Sequence, residues 1–543
     1  MLERTSCFIN EEFIEVRFDC ALPGRGRKIE GRWCADVLCS NLPFVISKSL
    51  FYKSLNANEF LTHVNCVEDQ EYLRETVLPK LGLVAFVSNN SILPRESGVS
   101  DKPMSVSDGA VPFIYRKCDK NDGLFVENIT LKNNKNVTLS GLGIPKGITL
   151  IIGGGFNGKS TLLNALQFGI YNTIPGDGRE YVSCVRNAVK IRSEDGRLIN
   201  NVNITPFINN LPSNKSCLKF QTLNASGSTS MAANIIENIE VRTHCLLIDE
   251  DTCATNFLIR DYLMDSLIRS KDSQINEPIT PFISKINALY HTLDISSILV
   301  IGGVGQYFSV ADQVILMNDY KPINMTQKAK LLISQNKNKC LFDSIATVND
   351  FGTLSQRYLK CNAAFKHSYN DIKIKTEMDS QKIIFGNETI DLGYVSQIVE
   401  SGQLTAIARA IQYIKENIVN GEHNRNKSEW SMAEILTEIN KDLNRDCINT
   451  KMDVLNRISY ARYSHTKSNR LVRPRIVEIA AALNRLKSVK VYSKIVECKD
   501  NNDEDIAMEG QEGKSEKKEN NKNNVNYQNS ANKVYKKVNK TLQ

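Results

Sequence analysis

Gly153 to Leu163 reads GGGFNGKSTLL, with the apolar run Ile148, Thr149, Leu150, Ile151, Ile152 directly before it. Leu162, Leu163 and Leu166 follow at helical spacing up to Gly169, a helix stop. Gly153, Gly158, Lys159 and Ser160 satisfy G-x-x-x-x-G-K-[ST], so strand, loop and helix stand in the order that a phosphate-binding P-loop requires. A glycine-rich loop lets backbone N–H groups converge on phosphate oxygens, and the positive end of the next helix adds a favourable field. Lys159 is expected to reach the β and γ phosphates and the Ser160 hydroxyl to ligate Mg²⁺. Gly153, Gly154, Gly155, Phe156, Asn157, Gly158, Lys159, Ser160 and Thr161 are therefore the candidate contacts of a nucleoside triphosphate.

Downstream, a second apolar strand, Cys245, Leu246, Leu247, Ile248, ends in Asp249 and Glu250, the Walker B arrangement. In it the first acid holds Mg²⁺ through water, and the second orients or deprotonates the attacking water. Between the two motifs, Ala225 to Thr229 reads ASGST before an amphipathic helix carrying Ile235, Ile236 and Ile239. Ser226 and Ser228 thus stand where a helix start leaves N–H groups unpaired. Ile298 to Ile301 and Val314 to Met317 supply further buried strands, the first running into Gly302 and Gly303. The block from about 126 to 320 reads as a largely parallel α/β sheet with its ligand at the carboxyl ends of the strands.

Bulk properties set outer limits. A chain of 543 residues is too long for one core, its apolar content of 41% is enough for several, and a charge of +8 permits an anionic partner without requiring one. The 14 cysteines form no C-x-x-C pair, which points to a reducing compartment and to neither a zinc knuckle nor a redox motif. No apolar run reaches about 18 residues and no apolar leader follows Met1, so a membrane transporter and a secreted protein are excluded and an intracellular soluble protein is expected.

Other segments leave alternatives open. Arg25, Arg27 and Lys28 form a basic loop that is either a solvated turn or a phosphate contact. The acids and bases Asp177, Arg179, Glu194 and Asp195 are site residues or turn formers. Leu83 to Val87 and the alternating stretch Val126 to Leu139 read as strands. Beyond residue 330, Gly386-Asn387 marks a hairpin, and Leu404 to Val419 and Ile476 to Leu486 read as helices. The second helix follows Lys467, Arg470, Arg473 and Arg475, a solvated face or a phosphate-backbone contact. From Lys499 the chain is Asn, Lys, Glu and Asp with little apolar content and is expected to be disordered.

The ordered set GGGFNGKSTLL, ASGST and LLIDED resembles the ATP-binding cassette class, in which a serine-glycine signature precedes Walker B; Ser226 lies 23 positions before Asp249. YNTIPGDGREYV, NASGSTSMAANIIE, LLIDEDTCATNFLIRD and ILVIGGVGQYFSVADQVI resemble one branch without a transmembrane domain. This is the predicted ABC-class ATPase family that includes a kinetoplastid mitochondrial RNA-editing-associated ATPase. The resemblance implies a P-loop core with a mostly parallel sheet, flanked by α+β N- and C-terminal domains. The expected division is 1–89, 90–335 and 336–490, with a tail at 491–543.

It further implies Mg²⁺-dependent hydrolysis of ATP by Glu250, Lys159 and Asp249, with Ser160 and Asp249 at the metal. In a homodimer, Ser226, Gly227 and Ser228 of one protomer would meet the ATP of the other, around RNA or with ribonucleoprotein partners. A nucleotide-dependent scaffold that hydrolyses little is the alternative. Two departures stand out. No histidine follows the third strand, where Gly302, Gly303 and Gln306 lie, and the nearest candidates for a glutamine loop are Glu194 and Asp195.

Overall fold

The computed structural model describes residues 1–98, 100–119, 122–211, 215–260, 277–336, 350–361, 363–365, 374–377, 379–421, 427–444, 454–455 and 470–495. The expected tail from Lys499, and Lys467 of the basic run, lie outside the described residues.

In chain order, helix α1 (Ala57–Tyr72) is capped by Asn56, whose side chain accepts from the N–H groups of Asn58 and Glu59. Strands β1 (Leu83–Ser88), β2 (Phe125–Thr130) and β3 (Thr138–Pro145) follow, then β4 (Ile148–Ile152), helix α2 (Lys159–Phe168), β5 (Val182–Cys184) and β6 (Ala188–Ile191). Helix α3 (Gly227–Glu240) leads to β7 (Cys245–Asp249), and α4 (Phe282–Leu293) to β8 (Ser296–Ile301), β9 (Gln313–Asn318) and β10 (Lys321–Asn324). The last part holds β11 (Ser355–Lys360), α5 (Ser401–Tyr413), β12 (Glu429–Ser431), α6 (Met432–Asn444), α7 (Ile476–Asn484) and β13 (Val491–Ile495).

The central sheet has the order β6-β7-β8-β4-β9-β10 and is parallel except for β10. Its strands are almost continuously apolar because both faces are covered. Leu150, Leu246 and Leu299 face one core with α3 and α4, while Ile151, Leu247 and Val300 face the other with α2. Register brings the strand ends level: Asp249 lies beside Val300, and Val300 beside Ile151.

The expectation that residues 126 to 320 build one largely parallel sheet needs correction. The strands read at Val126 to Leu139 belong to a separate antiparallel sheet, β2-β3-β1-β5. The short connection between β2 and β3 allows only a hairpin, and a Cβ at Gly141 would stand 2.1 Å from the Val87 carbonyl, so glycine lets β3 close on β1. Strand β1 therefore pairs across the boundary expected at residue 89.

A separate apolar core lies under α5, α6 and α7. The Gly386-Asn387 hairpin is present, with Phe385 opposite Glu388 and Gly386 at φ +62°. The helix expected over Leu404 to Val419 begins earlier, at Ser401, and its last turn, Ile414–Val419, is a π-helix. No helix among the described residues is long and apolar enough to cross a membrane.

Candidate nucleotide site

The P-loop has the geometry that its glycines predict. Gly153 has φ +143°, and a Cβ there would stand 2.4 Å from the Met317 carbonyl; Gly158, at φ +89°, presses on Tyr320. Both positions exclude a side chain for conformational and steric reasons together. Asn157 fastens the loop to the end of β9 by accepting from the Asp319 N–H at 3.0 Å. Phe156 sits at the apex in the left-handed region and is 99% exposed. The Lys159 ammonium rests on the carbonyls of Gly153 and Gly154, at 2.8 and 2.7 Å. Ser160 and Thr161 occupy the first turn of α2.

The far end of α2 is anchored equally firmly. Arg74, 2% exposed, donates from Nε and Nη2 to the Gly169 carbonyl and from Nη1 to Asn172 Oδ1. A cation at a helix C-terminus meets both the unpaired carbonyls and the helix dipole. Burial lowers this guanidinium to about 10, still charged at neutral pH.

Strand β8 separates the P-loop strand from β7, whose end carries the two acids. Asp249 and the P-loop strand are thus two interstrand spacings apart, about 10 Å, a gap for phosphates. Asp249 is buried, and its Oδ1 makes no hydrogen bond among the described residues. Its Oδ2 faces the Lys190 ammonium at 3.7 Å, from the neighbouring strand β6. Burial pushes the Lys190 ammonium below its ordinary value, and the Asp249 charge opposes that shift. A buried carboxylate oxygen without a protein donor is costly by itself, and it fits the place of a hydrated divalent cation.

Glu250 is held differently. Its Oε2 accepts the N–H of Gly302 at 2.6 Å and that of Gly303 at 3.4 Å, at the end of β8. Where a switch histidine is missing, two backbone amides grip the acid. Sequence reasoning located these glycines without assigning them this role, and it missed Lys190 entirely. A charged residue inside the short strand Ala-Val-Lys-Ile was the available signal.

At the start of α3, Ser226 is exposed and its side chain makes no capping bond. Ser228 is buried, and its hydroxyl donates to Asn256 at 2.9 Å. A Cβ on Gly227 would meet Ser193 Oγ at 2.3 Å, so the loop after β6 and the signature are in direct contact. Glu194 lies in that loop but faces away from the nucleotide region. It accepts from Arg485 Nε and Nη2 at 3.1 and 2.6 Å, across to α7.

The basic candidates separate into two groups. Arg25, Arg27 and Lys28 are exposed on a two-residue hairpin and form no ion pair among the described residues. Arg470 pairs with Asp19 at 2.7 Å on the surface, and Arg473 with Glu3 at 2.7 Å. Arg475 is turned inward, bound to Glu478 at 2.9 Å, to Gln397 at 2.9 Å and to the Ala188 carbonyl at 2.8 Å. Asp177 and Arg179 pair with each other at 2.9 Å beside Arg95.

This sheet and loop define a P-loop domain in which one strand, β8, separates the acidic strand from the P-loop strand. The chain belongs to the ABC_ATPase family, whose model, described as a P-loop domain, matches residues 56–349. A model for the N-terminal part of ATPases of the ABC class matches residues 1–53, and one for the MRB1590 C-terminal domain matches 373–492. An uncharacterised protein of Methanocaldococcus jannaschii is 30% identical over 276 residues, which are 50% of this chain and 58% of that protein. The chain thus spans just over half the length of this relative.

Proposed function

We propose that this chain is a Mg²⁺-dependent ATPase that works as a nucleotide-gated homodimer on nucleic acid, most specifically RNA. The observation that carries the hydrolytic part of the reading is the pair of acids at the end of β7, one with a buried oxygen that has no donor among the described residues and the other gripped by the end of β8. The P-loop amides from Gly153 to Thr161 bind the phosphates. Lys159 exchanges the Gly153 and Gly154 carbonyls for phosphate oxygens. Ser160 and Asp249 hold Mg²⁺, which when bound neutralises charge developing on the phosphate oxygens. Glu250, kept in place by Gly302 and Gly303, takes the proton of the attacking water.

Ser226 and the amide of Gly227, at an exposed helix start, complete the ATP site of a second protomer. Ser228, whose hydroxyl is engaged by Asn256, supports that turn from inside. The exposed Arg25, Arg27 and Lys28 are the better-placed phosphate-backbone contacts, whereas Arg475 works as a structural residue. The pairing of β1 with β3 and β5, and of β13 with β11, moves the first domain boundary from the expected residue 89 to before β1 and the last from the expected residue 490 to after β13. The test is Glu250→Gln, assayed for ATP binding and for phosphate release. Binding that persists with turnover reduced about 10²-fold or more supports the role of Glu250; unchanged turnover removes it. The hold of Gly302 and Gly303 on Glu250 also favours a second reading, a scaffold with negligible hydrolysis, and equally slow turnover in wild type and variant would select it.

A further inference from the structure

The three-stranded sheet β12-β11-β13 turns one face inward and one outward. Arg357, Leu359, Val491, Ser493 and Trp430 are buried on its inner face, as the alternation of a half-buried strand requires. On the outer face Tyr358 lies directly opposite Tyr492, their rings 5.9 Å apart and only 28° from parallel. Lysines surround the pair. The Lys494 ammonium lies 4.7 Å from the centre of the Tyr358 ring, and that of Lys360 lies 5.3 Å from the Tyr492 ring. Lys490, just before β13, is exposed as well. Two acids border this face among the described residues: Glu429 accepts from the Tyr492 hydroxyl and the Lys494 ammonium, and Glu434 accepts from the hydroxyl of Ser431, the residue opposite Tyr358.

A pair of neighbouring aromatic rings overlain by exposed lysines has the chemistry of single-strand recognition. Bases stack on rings regardless of sequence, and lysines follow the phosphates.

We propose that the outer face of this C-terminal sheet is a binding platform for single-stranded RNA, with bases stacked on Tyr358 and Tyr492. Lys360, Lys490 and Lys494 take the flanking phosphates. The site rests on the nucleic-acid reading given above, but it uses none of the basic residues on which that reading drew.

The experiment is fluorescence anisotropy of a labelled 12-nucleotide single-stranded RNA with the full chain across a range of salt. Tyr358→Ala with Tyr492→Ala is expected to weaken binding about 100-fold, roughly tenfold per ring, while Phe at both positions stays within about threefold of wild type. Lys360→Gln with Lys494→Gln is expected to reduce the slope of log affinity against log salt by about 1.4, or about 0.7 per lost phosphate contact. These surface variants provide a readout even if the alanine pair unfolds. If wild type binds RNA and the alanine pair binds equally well, the platform is wrong and the nucleic-acid reading survives; if wild type binds no RNA, both fail. A Phe pair as weak as the Ala pair would overturn stacking, and an acidic peptide that competes as well as unlabelled RNA would reassign the face to a protein.

Discussion

The carboxyl end of the parallel sheet and the seam where the core meets α7 are both rich in charge, and they dispose of it in opposite ways. At the sheet end, Asp249 keeps a buried oxygen without a hydrogen bond among the described residues, and Lys159 rests on the carbonyls of its own loop. At the seam, acids and bases close on each other. Arg475 meets Glu478, Arg485 forks onto Glu194, and Arg357 donates to Glu240 at 2.9 Å. Gln397 completes the seam, donating to the carbonyls of Gln167 and Ala188 while accepting the Lys190 N–H. Charge left open is available to a ligand, whereas charge closed on itself fixes one arrangement of elements at the expense of desolvation. The two regions touch at β6, where Lys190 faces Asp249 and the next strand end leads to Glu194.

The largest effect separating the two regions is expected from Lys159→Ala, which should lower kcat/KM for ATP more than about 100-fold and leave the melting temperature nearly unchanged. A large loss of stability instead would place Lys159 with the seam. Next is Glu478→Ala, which strands the buried Arg475 guanidinium. Removing one partner of a buried pair costs about 3–5 kcal/mol, so urea denaturation should show a loss of that order, with ATP affinity of the folded fraction retained.

Lys190→Met tests the point of contact. Alone it leaves Asp249 buried without its cation, and combined with Asp249→Asn the loss should largely vanish, a coupling of about 1–3 kcal/mol in nucleotide-free protein. Strictly additive losses would mean that the two residues do not act as a pair. The smallest effect is expected from Arg473→Glu, since surface pairs contribute about 0–1 kcal/mol. RNA affinity within about twofold of wild type would agree with its pairing to Glu3; a tenfold loss, on the order of 1.4 kcal/mol, would return that arginine to the nucleic-acid interface.

The P-loop and the strand ending in Asp249 were legible because each is a local pattern. An apolar run sets the strand, and the residues just beyond it must lie at its carboxyl end. The Gly386-Asn387 turn was readable for the same reason. The seam was not, because Arg475 looks the same in sequence whether it faces water or Glu478. What decides is Gln397 and Ala188, which are distant along the chain and brought close only by packing. The antiparallel sheet was misplaced because alternation announces a strand without naming its neighbour, and β1, which sits between β3 and β5, comes more than fifty residues before β3. The amide grip on Glu250 had no side-chain signal at all.

The central claim is an ATP site built from Asp249, Glu250 and the signature of a second protomer. It is tested most directly by the rate of ATP hydrolysis per protomer as protein concentration is raised, for wild type and Glu250→Gln side by side in the presence of Mg²⁺. The account predicts a wild-type rate per protomer that climbs with concentration to a plateau and a Glu250→Gln rate near zero throughout. A measurable rate independent of concentration and equal in the two proteins would contradict it.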